Sequence, residues 1–229
     1  MEKLGTDYGG WYIPTTIQLN TTSIIYSGGV GEDISFDLLL SDKYNSQIVL
    51  IDPTHKAKRH FIESKLYFQD KEKNKFTGNI QNDYYNNIQN LNVSFNSFTY
   101  IPFGLWDKET TLKFYKQSNK DYVSQSIIDG MFTQEYDTIQ TKTIQQIMNE
   151  NNHTHIDLLK LDIEGAEIEV LNNMLNNNIY PTYLCIEFDL YLKHKDTTNK
   201  TQTIINRLLE NNYKVIYNDN MNITFKLNK

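Results

Sequence analysis

Two carboxylates one residue apart, Asp162 and Glu164, close a short apolar run that extends from Ile156 to Leu161. The run has the length and composition of a buried strand, and Ile168-Glu169-Val170-Leu171 beyond it resumes at helical spacing. The acids therefore stand where a strand hands over to a helix, at the carboxyl edge expected of a parallel sheet. Ligands of open α/β sheets bind at that edge. A pair of solvated loop carboxylates is the plain alternative, and a second strand-end signature upstream weighs against it.

That signature is Ser23-Ile24-Ile25-Tyr26-Ser27-Gly28-Gly29-Val30-Gly31-Glu32-Asp33. A β-rich run ends in Gly28, Gly29 and Gly31, and a helix opens at Ile34. Glycine serves where backbone must take positive φ or approach a ligand with no Cβ in the way. About twenty residues further on, Ile48-Val49-Leu50-Ile51 ends in Asp52-Pro53. Glycine loop, helix, strand and terminal acid form the layout of a nucleotide-binding βαβ unit, the acid taking the ribose hydroxyls. Glu32 and Asp33 at the helix start are unfavourable for a pyrophosphate, which dinucleotide folds seat there. They suit a ligand with an ammonium, a sulfonium and no phosphate, as in S-adenosylmethionine. Asp33 also fits a plain helix cap.

Several segments together resemble a branch of the FkbM-type methyltransferases. They are Tyr26-Ser27-Gly28-Gly29-Val30-Gly31-Glu32-Asp33-Ile34-Ser35-Phe36-Asp37, Asp52-Pro53-Thr54, Gly104-Leu105-Trp106-Asp107 and Ile186-Glu187-Phe188-Asp189. The opening Asp7-Tyr8-Gly9-Gly10-Trp11-Tyr12-Ile13-Pro14 is also similar, and Lys160-Leu161-Asp162-Ile163-Glu164-Gly165-Ala166-Glu167 is the most specific block. The resemblance implies an α/β, Rossmann-like class I methyltransferase fold. That fold has a mostly parallel seven-stranded sheet of order 3-2-1-4-5-7-6, an antiparallel closing strand and helices on both faces. It implies S-adenosylmethionine as cofactor and a hydroxyl of a sugar, glycan or other small molecule as acceptor. Ser27 replaces the acid more usual before the first loop glycine, and Asp33 replaces the usual third glycine.

From this follow the expected roles. Ser27, Gly28, Gly29, Gly31, Glu32, Asp33 and Ser35 surround the methionine moiety, and Asp52 with Pro53 meets the ribose. Phe103, Gly104, Leu105 and Trp106 border the adenine, while Asp107 is a turn residue. Asp162, Glu164 and Glu187 converge on the acceptor side, with Lys160 pairing with Glu187 and Glu167 a first-turn helix acid. A sugar hydroxyl needs a base within hydrogen-bond reach; Asp162 is the first choice and His194 the second. Asp162, Glu164 and Asp189 offer hard oxygens that suit Mg²⁺. Ser124-Gln125-Ser126 resembles a Ser-x-Ser segment lining the acceptor pocket. The competing readings are a nicotinamide-dependent oxidoreductase and a catalytically idle scaffold that keeps the fold.

The elements needed to hold these residues are legible as strands near 23–27, 48–52, 97–103, 156–161 and 182–188, with helices at 33–44, 56–68, 142–149, 166–176 and 200–211. A short helix is expected within the polar stretch 70–92, a short antiparallel addition at 111–115, and a closing hairpin at 213–217 and 221–227 around Asn218-Asp219-Asn220. Residues 1–20 form a lead that packs on one domain spanning 21–229. Lys56, Lys58, Arg59 and His60 are expected as the exposed start of a helix. A length of 229 residues supports a full core without staples, and the lone Cys185, inside an apolar run, is a buried structural thiol. A net charge of −6 argues against a nucleic-acid partner. No leader and no long apolar run is present, so a cytoplasmic protein without membrane contact is expected. Nothing in the chain specifies an oligomeric state.

Overall fold

A computed structural model of the chain describes residues 1–119, 124–189 and 199–228. In chain order the elements are β1 (Glu2–Leu4), β2 (Trp11–Ile13), β3 (Ile24–Gly28), α1 (Ser35–Tyr44), β4 (Gln47–Ile51), α2 (His55–Gln69) and α3 (Tyr84–Ile88). There follow β5 (Phe98–Ile101), β6 (Gly104–Leu105), β7 (Thr110–Lys116), β8 (Gln125–Ser126), β9 (Tyr136–Lys142) and α4 (Ile144–Glu150). The chain closes with β10 (Leu158–Leu161), α5 (Glu167–Asn176), β11 (Tyr183–Glu187), α6 (Lys200–Glu210), β12 (Tyr213–Asn218) and β13 (Asn222–Leu227).

Seven of these strands form one sheet in the order β12-β13-β11-β10-β3-β4-β5. Strands β5, β4, β3, β10 and β11 run parallel, and β13 is antiparallel to both β11 and β12. With β3 counted as the first strand, this is the order 3-2-1-4-5-7-6. Side chains of a strand point alternately to the two faces, and here both faces are covered. Ile25, Ile48, Leu50, Leu158 and Cys185 pack with Leu38 and Leu40 of α1, Ala57 of α2 and Tyr84 of α3. Tyr26, Val49, Ile51, Leu159, Leu161 and Ile186 pack with Ile147 of α4, Leu171 of α5 and Leu208 of α6. Burial on both sides is why these strands read as continuous apolar runs rather than alternating ones. Cys185 is fully buried, and burial pushes its thiol up to about 12, as a structural cysteine requires.

The chain leaves β3 for β4 on one side and later returns to β10 on the other. Loops therefore diverge at the carboxyl end of β3 and leave a crevice between them, the switch point of an open sheet.

Three departures from the sequence expectations have physical causes. The lead is a hairpin of β1 and β2, its Leu4, Trp11 and Ile13 buried in the cluster that holds α1 to α3. Lys142 ends strand β9 instead of opening a helix; α4 begins at Ile144, where Thr143 and Gln146 form a reciprocal capping box. Strand β9 pairs with β6 and β7 in a second sheet of order β6-β9-β7-β8. It is exposed over most of its length, so it lacks the apolar alternation that marks a strand, and Thr138, Ile139 and Thr141 are its main local cue. Finally, His60 is only 1% exposed. It lies on the buried face of α2 with Ala57, Ser64 and Tyr67, at a spacing that no charge count reveals. No helix among the described residues is long and apolar enough to cross a membrane.

Candidate functional site

The glycine loop after β3 is held by an acid from the neighbouring strand. Asp52, next after β4, accepts hydrogen bonds through Oδ2 from the amides of Val30 and Gly31, both at 3.0 Å. Its Oδ1 accepts from the Thr54 amide at 2.8 Å and the Thr54 hydroxyl at 2.6 Å. A carboxylate offers about four acceptor sites, so Asp52 is first a clamp on the loop. Gly29 and Gly31 take φ of 70° and 52°. A Cβ on Gly29 would stand 1.7 Å from the Asp162 carbonyl oxygen, so the loop and the end of β10 are in backbone contact.

The two acids that follow in the loop are not free to meet a ligand as bare charges. Glu32 is 5% exposed, pairs with Arg59 of α2 and accepts the Asn79 amide at 3.3 Å. Asp33 accepts the Thr6 hydroxyl at 2.5 Å and the Ser35 amide at 2.9 Å, and burial holds its carboxyl above the usual range. Ser35 is fully buried and accepts the Thr6 amide at 2.9 Å through its hydroxyl. Ser27 is also fully buried. Behind it lies Asp37 of α1, whose carboxyl is pushed up to about 6 by burial, against the lowering influence of the Ser27 hydroxyl and the Lys160 ammonium. Sequence reading missed Asp37; its place three residues into a helix pattern carries no chemical signal.

These loops open onto one cleft. Its wall includes Gly29, Val30, Gly31, Glu32, Asp33, Asp52, Pro53, Phe103, Gly104, Leu105, Lys160, Asp162 and Glu164. The second sheet covers it with Phe114, Gln125 and Ile139, beside Ser124 and Ile127. Tyr8 and Gly9 of the lead, with Asn79 and Gln81, complete it; none of these four was anticipated. Of the residues anticipated for the cofactor, Ser27, Gly28, Ser35 and Trp106 do not line the cleft. Ser27 and Ser35 face inward behind the loop. Gly28 is the last residue of β3, and a Cβ there would meet Leu105 Cδ1 at 2.7 Å. The Trp106 amide donates to the Lys142 carbonyl at 3.1 Å, which joins the segment to β9. Gly104 is explained by the same sheet, since a Cβ would lie 2.7 Å from Ile139 Cδ1.

At the end of β10, Lys160 is 5% exposed, and its ammonium donates to the Gly28 carbonyl at 3.3 Å and to the Gly29 carbonyl. It stands 3.4 Å from Asp162 Oδ2. The expected Lys160–Glu187 pair is thus replaced by a bond to Asp162 and the glycine loop, because β10 delivers the ammonium beneath the end of β3, its parallel neighbour. Glu187 ends β11 outside the cleft wall. Glu164 takes φ of 55° and its carbonyl accepts the Ser126 hydroxyl at 2.5 Å. Ser126 therefore ties the second sheet to the acidic turn, while Ser124 and Gln125 face the cleft. Glu167 is a buried first-turn acid that accepts the Ile163 and Gly165 amides. Burial and the nearby Asp189 hold its carboxyl well above the usual range. One ligand atom from each of Asp162, Glu164 and Asp189 lies within 4.8 Å of the others. Three carboxylate oxygens so placed are a donor set for a hard divalent cation. His194 lies outside the described residues.

A mostly parallel sheet with its cleft at the switch point, a clamped glycine loop on one side and acids on the other define the protein as an open-sheet α/β domain. The methyltransferase FkbM domain family matches residues 51–215. The chain belongs to that family and is a methyltransferase domain. The matched span begins at the end of β4, so the lead and the glycine loop lie before it. No curated protein matches the chain.

Proposed function

We propose that the protein is an S-adenosylmethionine-dependent methyltransferase of the Rossmann-like class I type, acting on a hydroxyl of a sugar, glycan or other small molecule. The observation that carries the cofactor assignment is the fate of the loop amides. Those of Gly29, Val30, Gly31, Asp33 and Ser35 all donate within the chain, to Ile51, Asp52, Asp52, Val30 and Asp33 respectively. A dinucleotide needs such amides for its pyrophosphate, and here they are already engaged. A phosphate-free nucleoside cofactor fits the same cleft without that demand. The glycine backbone gives it close approach, and Asp52 marks the ribose side.

When bound, S-adenosylmethionine supplies a methyl group activated by its sulfonium. The chain supplies placement, which is the main requirement of an in-line displacement. Asp162 takes the acceptor proton, and the Lys160 ammonium orients its carboxylate. In the alternative in which Asp162 is a ligand and not the base, Asp162, Glu164 and Asp189 would together hold a Mg²⁺ ion that steadies the acceptor oxygen. Incubation with methyl-labelled S-adenosylmethionine and a panel of nucleotide sugars and glycans tests the reading. Label should appear on an acceptor hydroxyl; label confined to nitrogen or carbon acceptors would overturn the oxygen assignment.

A further inference from the structure

The polar stretch between α2 and α3 is laid over an acid of the glycine loop and held there. The Phe76 amide donates to the Tyr85 hydroxyl at 3.2 Å, and the Thr77 amide donates to Glu63 Oε2 at 3.1 Å. The Asn79 amide donates to Glu32 Oε2 at 3.3 Å, and Arg59 pairs with the same carboxylate. A Cβ on Gly78 would collide with Glu32, so only glycine lets the backbone pass this close. The Gln81 carbonyl accepts the Tyr84 amide at 3.0 Å, which joins the end of the stretch to α3. So anchored, the stretch presents Asn79 and Gln81 to the cleft that also holds Glu32, Asp33 and Asp52. Asn79 is exposed and Gln81 half-buried, and neither carboxamide donates a hydrogen bond among the described residues.

The methionine part of S-adenosylmethionine carries a carboxylate as well as an ammonium, and the glycine-loop end of the cleft offers that carboxylate few donors. Glu32, Asp33 and Asp52 are acids that already accept hydrogen bonds. The amides of Gly29, Val30, Gly31, Asp33 and Ser35 are engaged within the chain, and the Gly9 amide donates to the Thr6 hydroxyl at 2.8 Å. The Lys160 ammonium is taken by the carbonyls of Gly28 and Gly29 and by Asp162. A side-chain carboxamide has two N–H donors and carries no charge, so it can serve a carboxylate among acids without being drawn into an ion pair. We propose that Asn79 and Gln81 bind the carboxylate of the cofactor's methionine part, donating from their side-chain amides. The inference rests on the S-adenosylmethionine reading above.

The test is calorimetric titration of S-adenosylhomocysteine and of its decarboxylated analogue, which keeps the amine. Each is titrated into wild type, Asn79→Ala, Gln81→Ala and Gln81→Glu, with apo thermal unfolding of every variant as the check on folding. A hydrogen bond to a charged group is worth about tenfold or more in affinity. Each alanine variant should therefore bind S-adenosylhomocysteine about tenfold more weakly and the decarboxylated analogue as wild type does. Gln81→Glu keeps the shape but sets a like charge against the carboxylate, so it should separate the two ligands more widely than Gln81→Ala. Equal losses for both ligands, or wild-type affinity in all three variants, overturn the inference while leaving the cofactor assignment intact. A wild type that binds neither S-adenosylmethionine nor S-adenosylhomocysteine overturns both.

Discussion

Asp52 acts on the backbone that precedes it as much as on any ligand. Its carboxylate satisfies two amides of a loop whose glycines must hold positive φ, and hydrogen bonds to a charged group contribute about 1.5–3 kcal/mol. Asp52→Ala should therefore weaken S-adenosylmethionine binding on the order of 10–150-fold; unchanged affinity in a calorimetric titration would remove Asp52 from the site. In the proposed reaction Asp162 serves the acceptor. General-base action contributes roughly 10²–10⁴-fold, so Asp162→Asn should lower turnover by that order with little change in cofactor affinity. Wild-type turnover on the true acceptor would refute the role, and activity lost to a chelator and restored by Mg²⁺ would recast Asp162 as a ligand. These two acids are legible in the sequence because each ends an apolar run. The inward turn of Ser35, the Arg59 partner of Glu32 and the Thr6–Asp33 bond are not, since each joins residues 27 or more apart with no shared pattern.

Helix α2 shows how an element can hide a titrating group. His60 Nε2 is 2.7 Å from the Tyr84 hydroxyl, and its ring stacks on Phe76 at 4.9 Å. Burial, aided by the Arg59 charge, lowers its pKa to about 3. The folded state thus keeps His60 neutral while the unfolded chain takes up a proton near pH 6.5. This contribution to stability is fully present above pH 6.5 and is lost as pH falls towards 3, on the order of 3 kcal/mol between pH 7 and pH 4. Asp37 acts in the opposite sense, since its raised folded value favours the folded state as pH falls through 6. Comparison with a variant isolates the histidine: the urea midpoint of His60→Gln should fall less between pH 7 and pH 4 than that of wild type. Equal falls would contradict the buried neutral imidazole. The central strands and helices were readable because both sheet faces are buried. Strand β9 was not, because it is mostly exposed and its pairing partners β6 and β7 leave no apolar alternation in its sequence.

At the scale of the molecule, the sheet order brings the loops after β3, β4 and β10 to one crevice, and the second sheet and the lead close it from two sides. The turn at Asn218-Asp219-Asn220 announces the closing hairpin; the position of that hairpin beside β11 comes only from the assembled sheet. The central claim is that this crevice holds S-adenosylmethionine and not a nicotinamide dinucleotide. A ligand that binds only the folded state stabilises it by about 2.7 kcal/mol at one hundred times its dissociation constant, which for a domain of this size raises the melting temperature by roughly 5–10 °C. Thermal unfolding should therefore be measured with S-adenosylmethionine, S-adenosylhomocysteine, NAD and NADP in parallel. The account predicts a rise with the first two and none with the last two; a rise with NAD or NADP, or none with either adenosyl ligand, would contradict it.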